Sequence, residues 1–167
     1  AAPKCFEIQD KLREVIDIPV MHDMQGGTAA AILAALINAL ELAGKSMADA
    51  TVVIAGLGPS GVATARLLQA AGVGEIITCH RGGALHAGTP QERPELQWIA
   101  ENTNQNRKEG SVKELVKGAD VFIGLSVPGV IDADDIKTMA DKPIILALAM
   151  PTPDVSPEAA AAGGAFV

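Results

Sequence analysis

The stretch Gly56-Leu57-Gly58-Pro59-Ser60-Gly61 is where residue types and spacing most directly imply chemistry. It follows the apolar run Thr51-Val52-Val53-Ile54-Ala55 and precedes a segment with helical periodicity, so it reads as a strand-to-helix turn. In that setting Gly56 permits a tight turn, Gly58 lets backbone approach a pyrophosphate, and Gly61 lets helix and strand pack closely. Unpaired N–H groups at the start of a helix would face the phosphates. Pro59 and Ser60 lie inside the loop and belong to the same expected binding set. A glycine turn that only packs a helix on a strand is the alternative. No Lys-Ser or Lys-Thr follows, which excludes a Walker-type loop.

The end of the next strand is where a dinucleotide site usually carries an acid for the adenosine ribose hydroxyls. This chain has Cys79-His80-Arg81 there. His80 and Arg81 bring no negative charge and at least one donor, which leans towards NADP over NAD, with a solvated basic pair as the alternative. Two further loops, Ser126-Val127-Pro128-Gly129 and Ala149-Met150-Pro151, follow apolar strands and fall at the same carboxyl edge. Ser126, Val127, Pro128 and Met150 are therefore expected to flank the cofactor.

Positioning these loops requires alternating strands and helices. The patterning predicts a helix over Cys5–Val15, a strand over Ile18–Met21, a polar turn from His22 to Gly27, and a helix over Ala29–Ala43 capped by Thr28 and stopped by Gly44. Strands follow at Thr51–Ala55, Glu75–Cys79, Asp120–Gly124 and Pro143–Leu148, with helices at Val62–Ala71, Leu96–Asn102 and Ser156–Ala162. Ala165-Phe166-Val167 reads as the opening of one more strand. The expected fold class is α/β, a three-layer Rossmann-type domain with a mainly parallel sheet. Residues 1–50 form a lead-in and residues 51–167 the core.

With 167 residues, 49% of them hydrophobic, the chain can build one substantial core but not two domains. A net charge of -7 with scattered Lys and Arg argues against nucleic acid or an anionic membrane as partner. The longest apolar run, Thr28–Ala43, is interrupted by Asn38 and Glu41 and reads as too short to span a bilayer. Cys5 and Cys79 have no metal-like spacing, which fits a reducing cytoplasmic setting. The apolar end at Val167 and the start Ala1-Ala2-Pro3 read as cut edges of a longer protein.

Taken together, Ile18-Pro19-Val20, His22-Asp23, Gly27-Thr28-Ala29, Gly56 to Gly61, Gly118 to Gly124 and Ser126-Val127-Pro128-Gly129 resemble the malic enzymes. Ala2 to Ile8 is similar to that family's lead-in to its cofactor domain, so the resemblance spans essentially the whole chain. It implies oxidative decarboxylation of malate to pyruvate, with a divalent Mg²⁺ or Mn²⁺ holding substrate and a nicotinamide accepting hydride. It also implies homo-oligomers.

The departures lie at the expected active-site edge. The family has two adjacent Asp where this chain has Asp23 and Met24, and a thioether does not replace a hard oxygen ligand. Gly26 stands where the family has His or Gln, and Met150 where it has Asn. The family's catalytic Tyr and Lys lie upstream, and this sequence contains no Tyr. Asp23 is the one metal-ligand candidate left, His22 reads as a hydrogen-bonded turn residue, and no catalytic residue is assigned. The expected function is the NAD(P)-binding domain of a malic-enzyme-like oxidoreductase, inactive alone. A stand-alone nucleotide-binding or scaffold module is the alternative, and another dehydrogenase such as one acting on amino acids is a third reading.

Overall fold

The computed structural model describes residues 4–167, so Ala1-Ala2-Pro3, read above as a cut edge, lies outside the described residues. Alternation along β1 (Thr51–Ala55) sets the architecture. Val52 and Ile54 point into one apolar cluster, and Val53 and Ala55 into another. A strand buried on both faces needs helices on both sides of the sheet. The first cluster is closed by α2 (Gly26–Ala43), α3 (Pro59–Ala70) and α4 (Pro94–Asn102), through Ile32, Leu36, Leu68 and Ile99. The second is closed by α5 (Val112–Leu115), α6 (Ala133–Ile136) and α7 (Pro157–Gly163), through Leu115, Ile136 and the partly buried Ala159 and Ala160. The three-layer α/β fold expected from the sequence is the one observed.

The five-stranded sheet has the order β3-β2-β1-β4-β5. β1 pairs in parallel with β2 (Glu75–His80) and β4 (Val121–Gly124), and β4 with β5 (Ile144–Ala147). The two-residue β3 (Gly83–Ala84) is antiparallel on the β2 edge. The chain reverses its direction of winding between β1 and β4, the place where open parallel sheets leave a crevice at their carboxyl ends.

Several expected boundaries move. Ile18–Met21 forms no strand. Pro19 offers no N–H and the segment finds no neighbour in the sheet, so Ile18 and Met21 stay 68% and 71% exposed while Arg13 Nη2 donates to the Val20 carbonyl at 3.2 Å. Thr28 is not the cap of α2. The N–H groups of Gly26 and Gly27 already bond the carbonyls of His22 and Asp23 at 2.9 Å, so the helix starts earlier and Gln25 becomes its N-cap. Gly44 ends that helix in the left-handed region with φ +71°, as a glycine stop requires. Starting at Gly26, α2 has 18 residues and a mean hydropathy of 1.6, long and apolar enough to cross a membrane on those criteria alone, contrary to the length argument above. Its Ile32, Leu36, Ala39, Leu40 and Ala43 are buried against the sheet. Ala165–Val167 forms no ladder strand, although Phe166 N–H bonds the Pro143 carbonyl and the Val167 carbonyl accepts from Ile145, both at 2.8 Å.

α1 (Lys4–Val15) packs at the start of the chain, with Cys5 buried. At the other end of the sheet, Asp120 ties the strands together where β1 begins. Its carboxylate meets Lys45 Nζ at 2.6 Å and accepts the Thr51 N–H at 2.9 Å.

Candidate dinucleotide site

The three loop glycines have three different surroundings. Gly56 sits at φ +109°, and a Cβ there would stand 2.5 Å from the Leu125 carbonyl oxygen, so the turn admits only glycine. At Gly61 a Cβ would overlap the Gly56 carbonyl, which is how closely α3 packs on the end of β1. Gly58 differs: φ -76° and ψ -170° are ordinary extended values, and no atom lies within 4 Å of where its Cβ would be. Nothing among the described residues limits its tolerance of a side chain. The first helical bond of α3 runs from Val62 N–H to the Gly58 carbonyl at 3.0 Å. Among the described residues no side chain caps this helix, so the N–H groups of Ser60 and Gly61 at its start take no side-chain acceptor.

Ser60 itself turns away. Its Oγ donates to the Met24 carbonyl at 2.6 Å, which docks the turn ahead of α2 against the glycine loop. The N-terminal ends of α2 and α3 therefore meet at one edge, with the half-buried Thr28 in the first turn of α2. The Asp23 carboxylate lies where a Cβ on Gly27 would be, so Gly27 makes room for it. The His22 turn is hydrogen-bonded through its backbone, its carbonyl accepting from Gln25 and Gly26 at 2.9 Å, while its buried imidazole Nδ1 has no partner among the described residues.

Beside the glycine loop, a cleft of about 220 Å³ is lined by Gly56, Cys79, His80, Arg81, Ser126 and Val127. β2 runs one residue further than expected and ends on His80, whose Nδ1 accepts the Gly82 N–H at 2.8 Å. With Nδ1 accepting, Nε2 is the ring nitrogen left to donate. Arg81 is exposed and also lines an adjoining cleft of about 440 Å³ with His86, Thr89 and Ser111. Burial pushes the Cys79 thiol up to about 12 and its Sγ donates to the Ile54 carbonyl at 3.6 Å, so this wall is inert. A larger hollow, about 570 Å³, lies elsewhere, between α1, α3 and α4, where Arg66 stacks on Trp98 at 4.9 Å. Its lining mixes both signs of charge and includes none of the residues of the glycine loop.

On the far side of the crevice, Ser126, Val127 and Pro128 follow β4, and Met150, 90% exposed, follows β5. Both loops are held by Asp154, a fully buried carboxylate that the sequence reading did not single out. Among the described residues, no group of three or more His, Cys, Asp or Glu is placed to hold a metal. Asp23 alone is a poor fit to a divalent cation, which needs several oxygen ligands.

A parallel sheet with a switch point between β1 and β4, a glycine turn there, and an uncapped helix start behind it define a nicotinamide-dinucleotide-binding domain of the Rossmann class. The family description "Malic enzyme, NAD binding domain" matches residues 24–163, and the chain belongs to that family. It is 46% identical over 160 residues to a NAD-dependent malic enzyme of Geobacillus stearothermophilus, covering 96% of this chain and 34% of the relative. It is 37% identical to a NADP-dependent malic enzyme of Halomonas elongata, covering 95% of this chain and 37% of the relative. The solved NAD-dependent malic enzyme of Thermotoga maritima superposes with a TM-score of 0.96 at 39% identity, over 99% of this chain and 45% of that one. The chain thus spans less than half the length of these relatives.

Proposed function

We propose that this chain is the cofactor-binding unit of an enzyme that oxidatively decarboxylates malate to pyruvate, and that it binds one NADP(H) in preference to NAD(H). The observation carrying this reading is the open, unstrained Gly58 in front of uncapped N–H groups at the start of α3. Gly56, Gly58, Pro59, Ser60 and Gly61 receive the pyrophosphate, Ser60 through its backbone because its hydroxyl is engaged with Met24. His80 and Arg81 lie on the adenosine side, where Arg81, set between two clefts, meets a 2'-phosphate. Ser126, Val127, Pro128 and Met150 flank the cofactor from the loops after β4 and β5, Ser126 and Val127 sharing the cleft of His80 and Arg81 while Met150 lies beyond it towards the nicotinamide, and Thr28 faces the crevice from α2. Bound nicotinamide supplies a two-electron acceptor for the substrate.

The residues here bind and orient, and none is assigned a catalytic role. Asp23 serves as one metal ligand only if other parts of a longer enzyme complete its coordination. Residues 1–50 lead in and 51–167 form the core of one unit within that enzyme, which assembles as a homo-oligomer in the cytoplasm. The two buried free thiols suit that compartment. The names of the relatives include both NAD- and NADP-dependent enzymes, so preference rests on His80 and Arg81. Fluorescence titration with NADPH and NADH tests it: saturable binding of both, tighter for NADPH, is expected. Equal affinities would remove the preference, and no binding of either would remove the cofactor role.

A further inference from the structure

We propose that Asp154 is the positioning residue for the nicotinamide side of the site, acting as a clamp that joins the loops after β4 and β5 and sets the hydrogen-bonding character of Ser126. The proposal rests on the cofactor reading given above and concerns a residue with no assigned role. The regular ladder at this edge ends with Leu125 N–H on the Ala55 carbonyl at 2.8 Å and Leu148 N–H on the Gly124 carbonyl at 2.9 Å. The next N–H groups, of Ser126 and Ala149, have no strand to bond. Asp154 takes both: Oδ1 accepts from Ser126 N–H at 2.9 Å and Oδ2 from Ala149 N–H at 3.0 Å. Its own carbonyl accepts from Gly129 at 2.9 Å and Val130 at 3.3 Å. One residue, 0% exposed, thereby fixes both loops that follow the last two strands.

The carboxylate occupies a place made for it. A Cβ on Gly124 would run into the Asp154 carboxyl, so the glycine that ends β4 is what admits the acid. All three groups that meet the carboxylate are donors, because Ser126 Oγ also donates to Oδ1 at 3.1 Å. With its proton committed inward, the Ser126 hydroxyl faces the cleft as an acceptor. It therefore suits a ligand group that donates, such as a ribose hydroxyl or a carboxamide NH₂. An amide at position 154 with its oxygen at the Oδ1 place still accepts from both Ser126 donors, but its NH₂ then faces the Ala149 N–H and releases the loop after β5; the opposite orientation loses both Ser126 bonds instead.

The test compares Asp154→Asn with the parent chain, using whichever of NADH and NADPH the parent binds more tightly, and ADP as a probe of the adenosine half. Asp154→Asn should weaken the whole dinucleotide at least about tenfold and ADP by clearly less, because Ser126 and Val127 also wall the cleft beside His80 and Arg81 whereas the loop carrying Ala149 and Met150 does not. Equal losses for dinucleotide and ADP, or no loss for either, overturn the positioning role. If Asp154→Asn does not fold, Ser126→Ala keeps both backbone bonds and removes only the hydroxyl, and it should show the same selective loss to a smaller degree. An equal loss for both ligands, or none, with that variant overturns the proposal. On the parent chain, the Ser126 and Ala149 amides should exchange slowly despite lying in loops, and rapid exchange of both would also overturn it. A parent chain that binds neither ADP nor a dinucleotide would instead overturn the cofactor reading beneath it.

Discussion

Replacing Gly58 by serine should move stability and binding in opposite directions. Gly58 is the N-cap of α3 with extended dihedrals, and its Cβ position is empty out to 4 Å, so the fold accepts a side chain there. Serine is the better cap: its Oγ can accept from the N–H groups of Ser60 and Gly61, which contributes a few tenths of a kcal/mol over glycine. Restricting the unfolded chain contributes about 0.4–1 kcal/mol more. Together these raise the melting temperature by about 1–4 °C for a domain of this size. Those same N–H groups are the ones assigned to the pyrophosphate, and the new side chain stands in front of them. Dinucleotide affinity should therefore fall at least about tenfold, about 1.4 kcal/mol. Calorimetric titration beside thermal unfolding checks both halves. Gly61→Ala is the control of opposite kind, since its Cβ would overlap the Gly56 carbonyl and unfold or strain the loop. A Gly58→Ser chain that is more stable and binds NAD(P)H as tightly as the parent would refute the placement of the phosphates at α3.

Arg81→Ala should reduce the preference for NADPH over NADH by about 1.5–3 kcal/mol while leaving NADH affinity nearly unchanged, measured by parallel titrations; a parallel loss for both cofactors would assign Arg81 a different task. Cys79, with its thiol pushed up to about 12 by burial, should resist alkylation by iodoacetamide at pH 8 in the folded chain and react only on unfolding, as mass spectrometry would report. Asp132 is held down to about 2, first by Lys113 and then by the backbone N–H groups it caps at the start of α6. Its pKa is depressed in the folded state, so its contribution is present above an unfolded value of about 3.9 and is lost as pH falls towards about 2, which carboxyl NMR titration can follow. The isolated chain should produce no NADPH from malate with NADP and Mn²⁺, because Asp23 has no second acid beside it and the chain has no Tyr; metal-dependent turnover above a protein-free control would contradict this.

The glycine loop was legible because its determinants are local. A strand, three glycines and a helix within about a dozen residues leave few other geometries. β1, β2, β4 and β5 were legible for the same reason, as short apolar runs bounded by Gly, Pro or acidic residues. The failures have specific physical causes. Thr28 has a capping side chain, but the carbonyls of His22 and Asp23 claimed the preceding N–H groups and started the helix three residues earlier. Ile18–Met21 has strand composition but no neighbouring strand, and composition does not supply a hydrogen-bonding partner. β3, with two residues, and α5 and α6, with four each, are too short to show a period. The role of Asp154 was hard to read because its partners lie 28 residues before it at Ser126 and 5 before it at Ala149, and only the folded sheet edge brings them together. An acid between Pro153 and the buried Val155 was the one available hint, since charged residues are rarely fully buried without partners.

Amide-resolved NMR during titration with NADPH reads directly where the pyrophosphate sits. The expected result is a saturable set of shifts centred on Gly58, Ser60 and Gly61, extending to His80 and Arg81 on one side and to Ser126 and Val127 on the other. Shifts confined to the larger hollow around Arg66 and Trp98, with the start of α3 unmoved, would contradict it.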